Sequence, residues 1–247
     1  MPVEHHLRDL PIHRYGVELA PGDYARIRLS QKGADMSVAL SSPSGQEILE
    51  FDSPSGIWTK WISVIAEVAG IYTFEIRPRE VSEVAVGGYG IELTELRPAT
   101  ADDRLRIDAE HTAARAFLHL REARPENLKQ ALPLFGKALE IFRSLSDRHQ
   151  EAIILYGIGM AHHIGKQPAK AAPAFEQSRE LWRETGDLPH EGLALNQIGR
   201  VRDAQGDVSG ALTAFQEGLP LAKATGDSDL ECTLLYKIGT ASCRERV

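Results

Sequence analysis

The sequence predicts a two-part β + α fold: an N-terminal antiparallel β-sandwich over residues 1–98, then an array of paired helices over residues 99–247. Three observations predict it. Residues 12–96 alternate apolar and polar side chains between clusters of turn-forming residues. After Pro98, glycine and β-branched residues thin out and Ala, Leu, Glu and Arg dominate. A set of residues then recurs every 40 positions.

The strands come first. In Asp23-Tyr-Ala-Arg-Ile-Arg-Leu, Ala25, Ile27 and Leu29 share one face, with Arg26 and Arg28 on the other. The same alternation places Tyr72, Phe74 and Ile76 on one face, and Tyr89, Ile91 and Leu93 on one face. Ala20-Pro-Gly-Asp, Lys32-Gly-Ala-Asp, Ser42-Pro-Ser-Gly, Ser53-Pro-Ser-Gly and Gly87-Gly supply turns between strands. Short strands at this spacing predict a sandwich of jelly-roll type. Asp23, Asp35 and Asp52 sit near turns, where they cap backbone rather than gather around calcium, which needs clustered oxygens. Trp58 and Trp61, three apart in an extended segment, point to opposite faces, one toward the core.

Composition bounds the function. The chain has 247 residues, 43% of them hydrophobic, enough for a sizeable core. Its net charge is −7 and neither part is basic, which argues against nucleic acid as a partner. No apolar run is long enough to span a bilayer. Met1 to Asp9 lacks the apolar stretch of a secretory signal, so the sequence as written predicts a cytoplasmic protein. Cys232 and Cys243, if on one helix, lie about 16 Å apart along its axis. A disulfide needs Cα atoms within about 7 Å, so both are expected as free thiols.

The helical part opens at Ala101-Asp-Asp-Arg, an N-terminal capping signal. Leu155, Ile158 and Gly159 recur as Leu195, Ile198 and Gly199, and as Leu235, Ile238 and Gly239. Ala131, Ala171 and Ala211 are each followed four residues on by Phe135, Phe175 and Phe215. Asp147, Asp187 and Asp227 mark one turn, with Glu151, Glu191 and Glu231 four residues further. Each unit reads as two helices, such as Glu191 to Ala204 and Val208 to Ala224, joined by short links in which glycine ends one helix and aspartate caps the next. Gly199 lets the partner helix approach, Ala211 sits at the crossing and Phe215 fills the gap. Such pairs must stack to bury their apolar faces.

Leu195-x₂-Ile198-Gly199-x₂-Arg202…Ala211-x₃-Phe215 resembles the tetratricopeptide (TPR) signature, with Leu for its tryptophan, His162 and Arg202 for its tyrosine, and a longer period. The longer form is similar to the repeats of kinesin light chains and bacterial signalling proteins. Leu118-His119 replaces Ile-Gly in a degenerate first unit. His13-Arg-Tyr…Leu19-Ala-Pro-Gly-Asp, Val38-x-Leu-x-Ser-Pro-x-Gly, Ile65-Ala-Glu-x-Ala-Gly-x-Tyr72 and Leu96-Arg-Pro-Ala-Thr-Ala-Asp-Asp-Arg resemble bacterial proteins that end in a CHAT domain, a caspase-like peptidase domain. The resemblance implies a pre-peptidase-like sandwich, then a TPR solenoid of about three and a half units, with the peptidase domain absent. The unit opened by Glu231 has no second helix and leaves the pattern at Ala241-Ser-Cys-Arg-Glu-Arg-Val, as expected of a piece of a longer protein or of a gene end with a foreign tail. By the same resemblance a signal segment can precede Met1, which would place the protein in the envelope or outside.

Transferring the groove positions of TPR arrays gives Tyr156, Asn196 and Tyr236, then Met160 and Arg200, then His163 and Asp203, as candidate contacts for a protein or peptide partner. His162-His163 and His5-His6 are adjacent pairs that diverge by about 100° on a helix and hold no shared ion. No catalytic residue, metal or cofactor is expected, and no phosphate loop or nucleophile elbow appears. The leading expectation is an interaction scaffold, the sensor or adaptor part of a CHAT-type system. The rivals are a fragment of a cysteine peptidase whose catalytic domain lies beyond residue 247, and a carbohydrate- or ligand-binding sandwich using Trp58 or Trp61. Oligomeric state is left open.

Overall fold

Period-two alternation and turn residues lay down strands β1 (Val3–His6), β2 (His13–Leu19), β3 (Asp23–Lys32), β4 (Met36–Ser41), β5 (Glu47–Asp52), β6 (Thr59–Ile65), β7 (Gly70–Pro78) and β8 (Gly88–Pro98). Helices follow: α1 (Ala101–Glu122), α2 (Pro125–Ser144), α3 (Arg148–Ile164), α4 (Pro168–Thr185), α5 (Leu188–Ala204), α6 (Val208–Thr225) and α7 (Ser228–Glu245). This computed structural model describes residues 3–6, 12–32, 36–52, 59–78 and 88–245. The chain divides into two units, Met1–Ala114 and Arg115–Val247. Secondary structure changes after Pro98, and the start of α1 goes with the first unit.

In the first unit, two four-stranded antiparallel sheets run β1-β8-β3-β6 and β2-β7-β4-β5. Their inner faces share one apolar core that includes Leu19, Ile27, Val38, Ile62, Phe74 and Tyr89. Ala25, Ile27 and Leu29 point inward, as do Tyr72, Phe74 and Ile76. Leu93 does not. The β3–β8 ladder pairs Ile27 with Leu93 and Arg26 with Glu95, leaving Thr94 as an extra residue. The bulge interrupts the ladder just past Leu93, and Leu93 and Leu96 are both exposed. Asp23 caps its turn by accepting the Ala20 N–H at 2.9 Å. Asp35, the side chain of Asp52 and Trp58 lie outside the described residues.

Trp61 sits with Ser63 on the outer face of β6, so the inward tryptophan expected from the sequence is not Trp61. The Arg26 guanidinium lies 4.4 Å from its ring centroid and that of Arg28 5.8 Å. Its face is thereby occupied by the protein's own cations.

The first half of α1 is fixed to β8 and β6. Arg97 donates to both oxygens of Asp103, at 2.6 and 2.9 Å, and covers the Tyr24 ring at 4.7 Å. The N–H and hydroxyl of Thr100 also donate to Asp103, each at 2.7 Å, forming a helix cap. Arg97 thus holds the Asp103 carboxyl down at about 2 against the opposing effect of burial. Further along, Glu110 is buried over the edge strand β6. Ser63 donates its N–H and its hydroxyl to the Glu110 carboxylate, each at 3.0 Å. The Tyr24 hydroxyl lies 3.0 Å from the same Ser63 oxygen. An edge N–H that no strand takes is therefore satisfied by a helix side chain.

Candidate functional site

In the second unit the 40-residue period becomes a run of paired helices. A Cβ at Gly159 would lie 2.7 Å from the Phe175 ring, and one at Gly199 only 2.3 Å from the Phe215 ring. Ala171 and Ala211 are fully buried one turn before these rings. Leu155, Leu195 and Ile198 are buried beside them, and Ile158 is half-buried. Gly186 and Gly226 close α4 and α6 in the left-handed conformation, with φ of 72° and 70°. Asp147, Asp187, Asp207 and Asp227 then cap the next helices, accepting N–H groups three residues on at 3.2, 3.3, 2.9 and 3.0 Å.

The recurring glutamates serve the joints between units. Glu151 takes Arg143 at 2.8 Å, Glu191 faces Arg179 at 3.6 Å and Glu231 faces Lys223 at 3.9 Å. Each cation belongs to the helix before the capped turn. At the middle joint, Asp187 also holds His190 at 2.7 Å and His149 at 3.4 Å, and His190 stacks on Trp182 at 5.0 Å. Burial pushes the Asp187 carboxyl up, but the two histidines outweigh it and leave it below the ordinary carboxylate range.

The predicted groove residues divide into two groups. Tyr156 and Asn196 are only 5% and 8% exposed, so they are packing residues more than contacts, which corrects the groove assignment for this pair. Tyr156 lies 5.3 Å from Phe175 and 5.5 Å from Trp182, and burial pushes its hydroxyl up to about 12. The physical reason is stacking: α5 and α4 close over this position of α3. Tyr236, the equivalent on α7, is 68% exposed, and Leu235 beside it 48%. Leu235 and Gly239, expected as packing residues, have no such cover among the described residues, since a Cβ at Gly239 would meet nothing within 4 Å. Ile238 packs against the α6–α7 core.

Met160, His163, Arg200 and Asp203 are accessible at least in part. Arg200 donates to Gln197 at 3.1 Å, and Gln197 donates to the Tyr156 hydroxyl at 3.2 Å, so α5 and α3 are joined under the strip. Burial, with the Arg200 charge nearby, pushes the His163 imidazole below its usual value. Asp203 pairs with Arg244 of α7 at 2.6 Å. Gln197 and Arg244 were missed from the sequence. Gln197 falls at the position of Gly157 and Lys237, so no repetition marks it, and Arg244 lies past Ala241, outside the repeating pattern.

Among the described residues no group of three His, Cys, Asp or Glu side chains could hold a metal ion, and no helix is long and apolar enough to cross a membrane. His162 meets Gln167 at 3.0 Å, and Cys232 and Cys243 are free and exposed.

This geometry defines the class: the helical part carries tetratricopeptide repeats, and residues 122–184 and 157–224 match that repeat family. Among solved structures, the chain is similar to aspartyl phosphate phosphatase F from Bacillus subtilis, with 17% identity and a TM-score of 0.51 over 60% of this chain. The match covers 38% of that protein's length and shows a shared helical fold. Weaker matches are the N-terminal domain of stress-induced protein-1 from C. elegans, 18% identical over 56% of this chain and 98% of that one, with a TM-score of 0.45. Kinesin light chain TPR-like repeats from Podospora anserina are 13% identical over 60% and 80%, with a TM-score of 0.38. No curated protein sequence matches.

Proposed function

We propose that the helical repeats bind a protein segment along the strip formed by Met160, His163, Arg200 and Asp203. The observation that supports this most is the continuity of polar groups across three first helices. Arg200 joins Gln197 and Tyr156, and Asp203 joins Arg244. The strip offers hydrogen-bond donors held in place from below, with apolar Met160 beside them, a surface suited to an extended or helical peptide with acidic groups. Nucleic acid fits poorly, because the chain is acidic overall. A photo-crosslinking residue at Met160 should capture a specific protein, and Arg200→Glu should abolish the capture. Equal capture from Thr213, exposed on α6, would count against the groove.

Within that reading the first unit is a jelly-roll sandwich that positions or senses. The orders β1-β8-β3-β6 and β2-β7-β4-β5 support it, since successive strands change sheet at all steps but β4 to β5. Together with the Arg97-Pro-Ala-Thr junction, this favours the adaptor part of a bacterial CHAT-type signalling protein over an independent glycan-binding module, whose Trp61 would first have to shed Arg26. Reading the gene on both sides of residues 1–247 tests this. A caspase-like domain in frame supports the CHAT reading; its absence from the gene removes both that reading and the peptidase-fragment alternative.

A further inference from the structure

The hydrogen-bond chain beneath Arg200 has a direction that its atoms fix. A guanidinium has no acceptor, so the end of the Gln197 amide that meets Arg200 is its oxygen. Arg200 Nη1 donates to that oxygen at 3.1 Å. The amide nitrogen therefore turns to α3, where it donates to the Tyr156 hydroxyl at 3.2 Å. Gln197 is 7% exposed and Tyr156 5%, whereas Arg200 is exposed. Two buried side chains thus hold one exposed cation from below.

Each of the two does something its repeat equivalents do not. Gly157 and Lys237 stand at the Gln197 position, and neither side chain can accept a hydrogen bond from an arginine. Asn196 and Tyr236 stand at the Tyr156 position. The stacking of the repeats therefore does not require this chain of bonds. Gln197 is also neutral. It holds the guanidinium without cancelling its charge, and among the described residues Arg200 pairs with no carboxylate. A glutamate there would spend that charge inside the protein. The Tyr156 ring is itself fixed, 5.3 Å from Phe175 and 5.5 Å from Trp182. Its hydroxyl gives the Gln197 amide one sense; without it, the amide can turn its NH₂ toward Arg200, donor against donor.

We infer, on the reading that the strip binds a protein segment, that Tyr156 and Gln197 are its positioning residues: the Tyr156 hydroxyl sets the Gln197 amide, and the amide aims Arg200 at acidic groups of the bound segment. Neither residue touches the segment. Tyr156 acts on it through two hydrogen bonds, from the neighbouring repeat.

The test uses the full chain and a fluorescein-labelled hexaglutamate peptide, followed by fluorescence anisotropy at low salt. Arg200→Ala should weaken binding about tenfold or more. Tyr156→Phe keeps the ring against Phe175 and Trp182 and removes only the hydroxyl; it should weaken binding about threefold or more. Gln197→Met, similar in shape but without the amide, should do the same. In the Arg200→Ala background neither further substitution should change the affinity, because there is no guanidinium left to aim. A loss that persists in that background, or no loss from either variant while Arg200→Ala weakens binding, overturns the positioning role and leaves the strip standing. Binding by the wild type that is absent, or that ignores Arg200→Ala, removes the strip and the positioning role together.

Discussion

At the scale of single residues, Glu110 has the most to report. It is buried on α1, and its carboxylate receives both donors of Ser63 while Arg26 and Arg106 face it at longer range. Burial outweighs these partners and pushes its carboxyl up to about 7. The folded value lies above the unfolded one, so protonation favours folding. The stabilisation is full below the unfolded value near pH 4.5 and is lost as pH rises toward 7. The shift corresponds to about 3 kcal/mol between those limits. Glu110→Gln keeps an acceptor for the Ser63 N–H and removes the charge. Melting curves from pH 4.5 to 8 should show the wild type losing stability relative to Glu110→Gln across that window. Parallel curves would mean that Glu110 does not titrate there. Asp103 behaves oppositely: Arg97 holds it at about 2, so its contribution is present above about pH 4 and fades on acidification toward pH 2. Asp103→Asn should narrow the difference between melts at pH 5 and pH 2.5.

At the scale of elements, one helix position appears in two environments. At Gly199 an added methyl would collide with the buried Phe215 ring, which has no room to turn aside. Gly199→Ala should destabilise by about 1–3 kcal/mol despite the better helix propensity of alanine. At Gly239 the same change meets open space and should stabilise α7 by up to about 1 kcal/mol. Urea titration of both variants checks the contrast, and a destabilising Gly239→Ala would show that this space is already filled in solution. The contrast also shows what the sequence could disclose. The period identified Gly199, Phe215, Ala211 and the capping aspartates, because each performs the same local task in each unit. It could not distinguish Gly239 from Gly199, since their difference lies in a neighbour rather than in their own residue type. Tyr156 and Asn196 misled for the same reason: polar or amphipathic side chains on a groove stripe look available until the adjoining helices close over them. In the sheets, alternation placed Ile27 and Phe74 correctly, whereas the bulge at Thr94 and the exposure of Leu93 leave no composition signal. Glu110 and Ser63 are 47 residues apart and belong to no motif, so their contact was illegible.

At the scale of the whole molecule, the two units are held together by different logics, and amide hydrogen exchange should separate them. In the sheet unit β1 pairs with β8 and β2 with β7, so early strands are completed by late ones, and one apolar core draws on both sheets. Opening one strand exposes the others, and the amides of β3, β4 and β7 should exchange through a common, cooperative opening. The helical unit is a one-dimensional array in which each helix leans mainly on its sequence neighbours. There, protection should follow cover. α5 has α4 and α6 against it and buries Leu195 and Ile198. α7 leaves Leu235 and Tyr236 in water. Two large side chains left unburied lower the opening free energy by about 3 kcal/mol or more. That corresponds to exchange roughly a hundredfold faster in the middle of α7 than in the middle of α5. The comparison should be made at amides 234–240 and 194–200, which occupy equivalent repeat positions. Equal protection of the two sets would mean that α7 is stabilised by something other than the contacts seen here, and the gradient along the array would not exist.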